Sequence, residues 1–243
     1  LLRIPHVIID SQSTGELNYE HLETCLRENR HLPAILNLNL GTTMKGATDR
    51  IDRVLDILQL LQIDRFHIHC DGALSGLLLP FMDGAPEINF QRPIGSIAVS
   101  GHKFIGSPIT CGILLTRQEY VCTIEREIEY IGSKDTTITG CRSGLSVLFL
   151  WHAISARASH FRDEVKICQE NAQYLHQQLG EIDYPSMLNE FSTTVVLSKP
   201  DIDVCRRWQL ATEETLAHVV VMQNVTRQKI NAFVKDLYQG VRD

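Results

Sequence analysis

The sequence predicts an α/β protein, with a mostly parallel sheet covered by helices and a smaller α+β unit behind it. Three observations point there. An apolar run, a helical period and a second apolar run follow one another through "PAILNLNLGTT", "ATDRIDRVLDILQLLQ" and "FHIHC". Tight connections between such segments are the signature of a βαβ unit in a parallel sheet. Two further apolar runs, "GSIAVSG" and "CGILLT", supply more strands. From residue 155 onward the pattern changes to long amphipathic helices with two strand-like runs between them, so the predicted units are 1–154 and 155–243.

The elements follow in chain order. "LLRIPHVIID" reads as a strand and carries no Met, which leads us to expect a chain whose amino-terminal part is missing. Leu17, Leu22, Cys25 and Leu26 lie on one side of a short helix with Asn18 as its cap. Pro33 opens the next strand and Gly41 closes it. Ile51, Val54, Leu55, Leu58 and Leu61 recur at helical spacing, and Thr48 offers an N-cap. Phe161, Val165, Cys168, Ala172, Leu175 and Leu179 trace a long helix that Gly180 can end. "STTVVL" and "AHVVVM" read as strands, with "DVCRRWQLA" helical between them. Ile230, Phe233, Val234 and Leu237 mark a last helix.

Composition narrows the function classes. At 243 residues the chain can form one medium domain, or one larger and one smaller unit. A hydrophobic content of 44% with 21% charged residues is that of a globular protein. Lys and Arg number 23 against 29 Asp and Glu, a net charge of −6. That balance gives no electrostatic reason to expect nucleic acid or an anionic membrane as partner. No apolar run approaches the length of a membrane span. Seven cysteines form no CxxC pair, which suggests free thiols in a reducing compartment, the cytoplasm.

Two stretches carry chemistry. In "FHIHCDG", strand alternation puts His67, His69 and Asp71 on one face. Imidazole and carboxylate in that pattern suit zinc or iron, so a metal-dependent hydrolase is one reading. The other histidines form no second spaced pair, and a strand with two hydrogen-bonded histidines is the plainer alternative. Asp71 differs from both, because it stands where the strand stops and the small residues of "GALSG" begin. Ligands of parallel sheets bind beyond the carboxyl ends of strands.

In "SIAVSGHKFIGSP" an apolar strand runs directly into Ser100, Gly101, His102 and Lys103. Phe104 and Ile105 after the lysine, and His102 beside it, predict partial burial that would make its neutral amine available. An aspartate at one strand end and a lysine at another are what pyridoxal phosphate requires. The lysine holds its aldehyde as a Schiff base, and the carboxylate keeps its ring nitrogen protonated.

"HCDGALSGLLLPF" and "GSIAVSGHKFIGSPITCGILLTR" closely resemble the pyridoxal-phosphate-dependent group II amino-acid decarboxylases, bacterial histidine decarboxylases and plant serine decarboxylases among them. "LNLGTTMKGATDRID", "IEYIGSKDTTITGCRSG", "MLNEFSTTVVLSKP" and "RRWQLATEETLAHVVVMQNVT" extend the resemblance over nearly the whole chain. It implies a fold-type-I architecture, made of part of the large cofactor-binding domain and a small carboxy-terminal one. Lys103 would be the Schiff-base lysine and Asp71 the partner of the ring nitrogen. Ala73 would pack on the ring face, with Thr43, and less surely Thr42, near the ring hydroxyl and carboxylate end. Ser100 and His102 would serve the cofactor's surroundings, and His69 would not bind metal.

The resemblance also implies decarboxylation of an amino acid, histidine first and serine second, by a homodimer. The family's upstream Ser/Gly-rich phosphate loop and its ring-stacking histidine do not occur in this chain. The sequence is therefore expected to be a fragment of a working enzyme or a truncated, inactive relative. "GCRSGLSVLFLW" departs from the family's Gly-Ser-Arg-Asn-Gly-His pattern at Cys141, Ser143 and Leu145, which bears on substrate choice.

Overall fold

The computed structural model describes residues 4–137 and 142–240. Its first half contains α1 (Tyr19–Glu28), β1 (Ala34–Asn39), α2 (Ile51–Leu60), β2 (Phe66–Asp71), β3 (Ser96–Ser100) and β4 (Gly112–Thr116). Then come α3 (Gln118–Ile124), the short hairpin of β5 (Arg126–Ile128) and β6 (Ser133–Asp135), and α4 (Gly144–Arg157). The second half runs through α5 (Phe161–Glu181), β7 (Ser186–Leu188), β8 (Thr194–Ser198), α6 (Ile202–Trp208), β9 (Ala211–Glu213), β10 (Leu216–Val220) and α7 (Arg227–Gly240).

The first sheet has the order β1-β2-β3-β4, with β1, β2 and β3 parallel and β4 antiparallel to β3. Apolar periodicity decides which face it buries. Leu38, Ile68, Cys70, Ile97 and Val99 join Leu22 and Leu26 of α1 and Ile51, Val54 and Leu58 of α2 in one core. The second sheet, β7-β8-β10-β9, is antiparallel throughout. Its core collects Val195, Leu197 and Ala217 with Leu175 and Leu179 of α5 and Ile230, Phe233 and Leu237 of α7. Helix α5 serves both cores, since its first turns place Phe161 and Val165 against the first sheet's core.

Local chemistry explains where the sequence reading held and where it did not. Asn18 caps α1 as expected, its side-chain oxygen accepting from the Glu20 and His21 amides. Thr48 does not cap α2. Arg50 holds the N-cap position without a side-chain bond, and the Thr48 hydroxyl is buried with no partner among the described residues. The neighbouring Asp49 is the structural residue. It is 1% exposed. Its Oδ1 accepts from Leu17 N at 2.8 Å and its Oδ2 from Asn39 N at 2.7 Å. Burial pushes the Asp49 carboxyl above its usual range.

Gly180 does not end α5, which runs one residue further and turns at Asp183 with φ 55°. "DVCRRWQLA" is helical only to Trp208, because Gln209 takes a left-handed φ of 51° and Ala211 opens β9. The described part of the opening apolar run, residues 4–10, is not a strand; it leads into the isolated Ser11–Leu17 bridge, beside which Asp10 O accepts from Asn18 N at 2.8 Å. Among the described residues no helix is long and apolar enough to cross a membrane, and six cysteines are free of disulfides.

Replacing Asp49 with Ala strands two amides at a buried position. The expected cost is about 1–3 kcal/mol of unfolding free energy, readable from the urea midpoint. An unchanged midpoint would mean those amides find other partners.

Candidate active site

In the parallel register Asn39 pairs with Asp71, and Asp71 pairs with Ala98. The carboxyl ends of three strands therefore lie at one edge of the sheet. A cavity of about 730 Å³ opens beyond that edge, a size suited to a small molecule. The strand ends and their loops contribute Asn39, Thr42, Thr43, Asp71, Ala73, His102 and Lys103. The opposite wall comes from β10 and the turn after it, through His218, Val220, Met222 and Gln223.

Each loop is fixed locally. Gly41 adopts φ +91° and comes so close to the loop after β2 that a Cβ there would lie 2.1 Å from Ser75 Oγ. Only glycine permits that approach. It folds the segment carrying Thr42 and Thr43 over the cavity. Thr42 Oγ1 accepts from Ala47 N at 3.0 Å, which closes the turn. Asp71 is exposed, and its Oδ1 accepts from Ala73 N at 3.1 Å. That bond ties one carboxylate oxygen to the residue's own loop, and Asp71 lines the cavity.

Lys103 follows β3 in a turn in which its amide donates to Ser100 O at 3.4 Å and its carbonyl accepts from Gly106 N at 3.1 Å. The side chain is exposed, contrary to the burial expected from its apolar neighbours. Phe104 and Ile105 turn inward at 1% and 2% exposure, and the reversal of the chain carries Lys103 outward to the cavity. His102 Nδ1 accepts from Cys111 N at 3.2 Å, tying this turn to the start of β4.

Of the residues singled out from sequence, Lys103, Asp71, Ala73, Thr43, Thr42 and His102 all line this one cavity. Ser100 does not. It lies with Asp71, Ala73 and Leu114 along a shallow groove on the sheet. Cys141 lies outside the described residues. Ser143 precedes α4 without a side-chain cap bond, and Leu145 is exposed.

His67, His69 and Asp71 do share a strand face, but the histidines serve the sheet. His67 Nε2 and His69 Nδ1 lie 3.1 and 2.8 Å from the same Ser96 Oγ. One hydroxyl can donate to one ring and accept from the other. The His67 ring also lies against Gly95, where a Cβ would come within 2.2 Å of it. Among the described residues no three His, Cys, Asp or Glu side chains converge to hold a metal ion.

Several cavity residues were not marked by any sequence signal. His218, 8% exposed, lies with Nδ1 3.0 Å from Met44 Sδ, and burial lowers its pKa. Arg157 and Gln223 reach the cavity from beyond the first sheet. No local pattern flags them, since their place depends on how the second half packs on the first.

Fold and site together define a class: a fold-type-I architecture with a lysine and an aspartate at one cavity beyond its strand ends. The chain belongs to the pyridoxal-dependent decarboxylase family, whose conserved domain matches residues 3–198. Pyridoxal phosphate, expected from the sequence, is the cofactor of that family. The chain is 44% identical to serine decarboxylase 2 of Oryza sativa subsp. japonica, over 100% of this chain and 53% of that protein. It is 46% identical to histidine decarboxylase of Solanum lycopersicum, over 95% of this chain and 57% of that protein. Among solved structures, L-methionine decarboxylase from Streptomyces sp.590, complexed with L-methionine methyl ester, superposes with a TM-score of 0.82 at 27% identity. The match covers 93% of this chain and 57% of that one. The chain thus spans about half the length of the relatives it matches.

Burial lowers the pKa of both His69 and His218 below the ordinary 6.5. On unfolding these rings regain their usual basicity, so the unfolded state takes up more protons in this range. Stability should therefore fall as pH drops from about 7 to about 5. His69→Gln should flatten that slope in urea titrations; an unaltered slope would show that His69 does not contribute to it.

Proposed function

We propose that the protein is a pyridoxal-phosphate-dependent amino-acid decarboxylase, with L-histidine its first substrate and L-serine the second. The observation that carries this reading is the single cavity onto which both Lys103 and Asp71 open. Family membership supports the reaction class, and similarity to both histidine and serine decarboxylases supports the substrate pair.

The residues present fit the ring end of the cofactor. A carboxylate at the strand end suits the ring nitrogen, the lysine suits the aldehyde carbon, and small Ala73 leaves room for a flat face. Thr42 and Thr43 bring hydroxyls to the same cavity. When bound, pyridoxal phosphate supplies the electron sink that lets the bond to the substrate's carboxyl group break. Lys103 would hold the cofactor through its Nζ. The Asp71 carboxylate, fixed by Ala73 N through Oδ1, would keep the proton on the ring nitrogen. His102 flanks the lysine, and Val220 and Met222 give the opposite wall an apolar surface that limits water.

The same reading divides the chain into units 1–154 and 155–243; two hydrophobic cores accord with two units, but the cut falls inside α4 and the first core also takes in Phe161 and Val165 of α5. It includes a homodimer in the cytoplasm. The exposed Leu145, Val147, Leu148 and Trp151 on α4 support burial of that helix against another surface.

Lys103→Ala should abolish the visible band that wild type develops with pyridoxal phosphate. Asp71→Asn should keep that band but lower CO₂ release by on the order of 100-fold, because the charged partner of the ring nitrogen is gone. A panel assay of CO₂ release should rank L-histidine above L-serine. A band that survives in Lys103→Ala, or full turnover in Asp71→Asn, would remove those residues from their roles.

A further inference from the structure

Within the turn that carries Lys103, Lys103 N donates to Ser100 O, Gly106 N to Lys103 O and Ser107 N to Gly101 O, and Gly101 and His102 bond to Cys111 at the start of β4. Gly106, at φ +74°, has open space where a Cβ would stand. These bonds leave the carbonyls of Phe104 and Ile105 to partners from outside the turn. Arg157, the last residue of α4, donates from Nη1 to Ile105 O at 2.9 Å. Its Nε and Nη2 donate to the two oxygens of Glu164 in α5, at 3.1 and 2.6 Å. Gln223, in the turn after β10, donates from Nε2 to Glu164 Oε2 at 3.0 Å and to Phe104 O at 3.2 Å.

We infer that Arg157, Glu164 and Gln223 form a clamp that positions Lys103 by holding the two carbonyls that follow it. The chemistry of each member matches that task. An amide NH₂ has two hydrogens, and Gln223 directs one to the carboxylate and one to the backbone. The guanidinium is a rigid fork, so pairing two of its nitrogens with Glu164 fixes where the third points. Glu164 joins the two donors, and the Arg157 hydrogen bonds hold its carboxyl below the usual range. Beneath the clamp the Phe104 ring meets Phe161 edge-on at 5.3 Å, so the residue between Lys103 and Ile105 is anchored from both ends.

Arg157 and Gln223 line the cavity, yet their hydrogen bonds run to backbone carbonyls and to Glu164. They are positioning residues, acting through the peptide units next to Lys103. A reacting amine misplaced by about 1 Å can lose on the order of 100-fold in rate. The clamp thus makes the lysine's geometry depend on the second sheet. Its catalytic consequence rests on the proposed cofactor role of Lys103, but the clamp itself can be tested without cofactor.

The experiment compares wild type with Gln223→Leu, Gln223→Glu and Arg157→Ala. Gln223→Glu keeps the shape and removes both donors, so it serves if Gln223→Leu fails to fold. Amide hydrogen exchange without cofactor should speed about tenfold across residues 101–107, while α5 protection from Val165 to Leu179 is unchanged. Attachment of pyridoxal phosphate to Lys103, trapped with borohydride and read by mass spectrometry, should slow in the same variants. Turnover should lose kcat with KM for the amino acid preserved. Unchanged exchange across 101–107 in folded variants overturns the clamp. Faster exchange with unaltered attachment overturns its positioning role. Faster exchange in the variants, with no attachment even in wild type, supports the clamp and removes the cofactor reading instead.

Discussion

The site depends first on the parallel register of β1, β2 and β3. Parallel strands must be joined by crossovers, so each returns to start at the same end of the sheet and stops at the other. Here that brings Asn39, Asp71 and Ala98 level, and the three loops that follow emerge side by side. An antiparallel β3 would carry the Lys103 turn to the far end, as it does for the residues after β4. The crossover between β2 and β3, residues 72–95, is thus more than a connection. It is what brings a carboxylate and an amine from positions 71 and 103 to one cavity.

The second constraint is that the cavity is closed by the other half of the molecule. Helix α5 runs through both cores, with Phe161 and Val165 in one and Ala172, Leu175 and Leu179 in the other. Glu164 lies on that helix between Phe161 and Val165, so the Arg157 and Gln223 contacts are referenced to a well-packed element. The Arg157–Glu164 pair is partly buried, at 35% and 21% side-chain exposure. Desolvation offsets much of the attraction in such a pair, so its main effect is geometric. It fixes direction more than it adds stability.

Elements with strong periodicity were legible in the sequence. Helices α1, α2, α5 and α7 and strands β1, β2, β8 and β10 stand where apolar spacing put them, because each buries one continuous stripe. The Thr48 cap failed for a reason local rules cannot see. Asp49 is recruited by amides from two other segments, Leu17 and Asn39. Asp71 and Lys103 were legible because each interrupts an apolar run with a group that rarely belongs there. Arg157 and Gln223 were not. They reach Ile105 and Phe104 across 52 and 119 residues of sequence. Read locally, one is a cation at a helix end and the other a polar residue in a turn.

The three residues first grouped as metal ligands are separated by their height on the strand. Side-chain alternation puts His67, His69 and Asp71 on the same face, but a face is not a site. His69 sits directly across from Ser96 on β3, and His67 one step earlier, so both rings close on one hydroxyl within the sheet. Their capacity is absorbed by the neighbouring strand. Asp71 is the last residue of β2, and its carboxylate turns to the amide of Ala73 in its own loop. It is the only one of the three that lines the cavity. Strand periodicity therefore identifies which groups share a surface, while the strand's end decides which of them can meet a ligand.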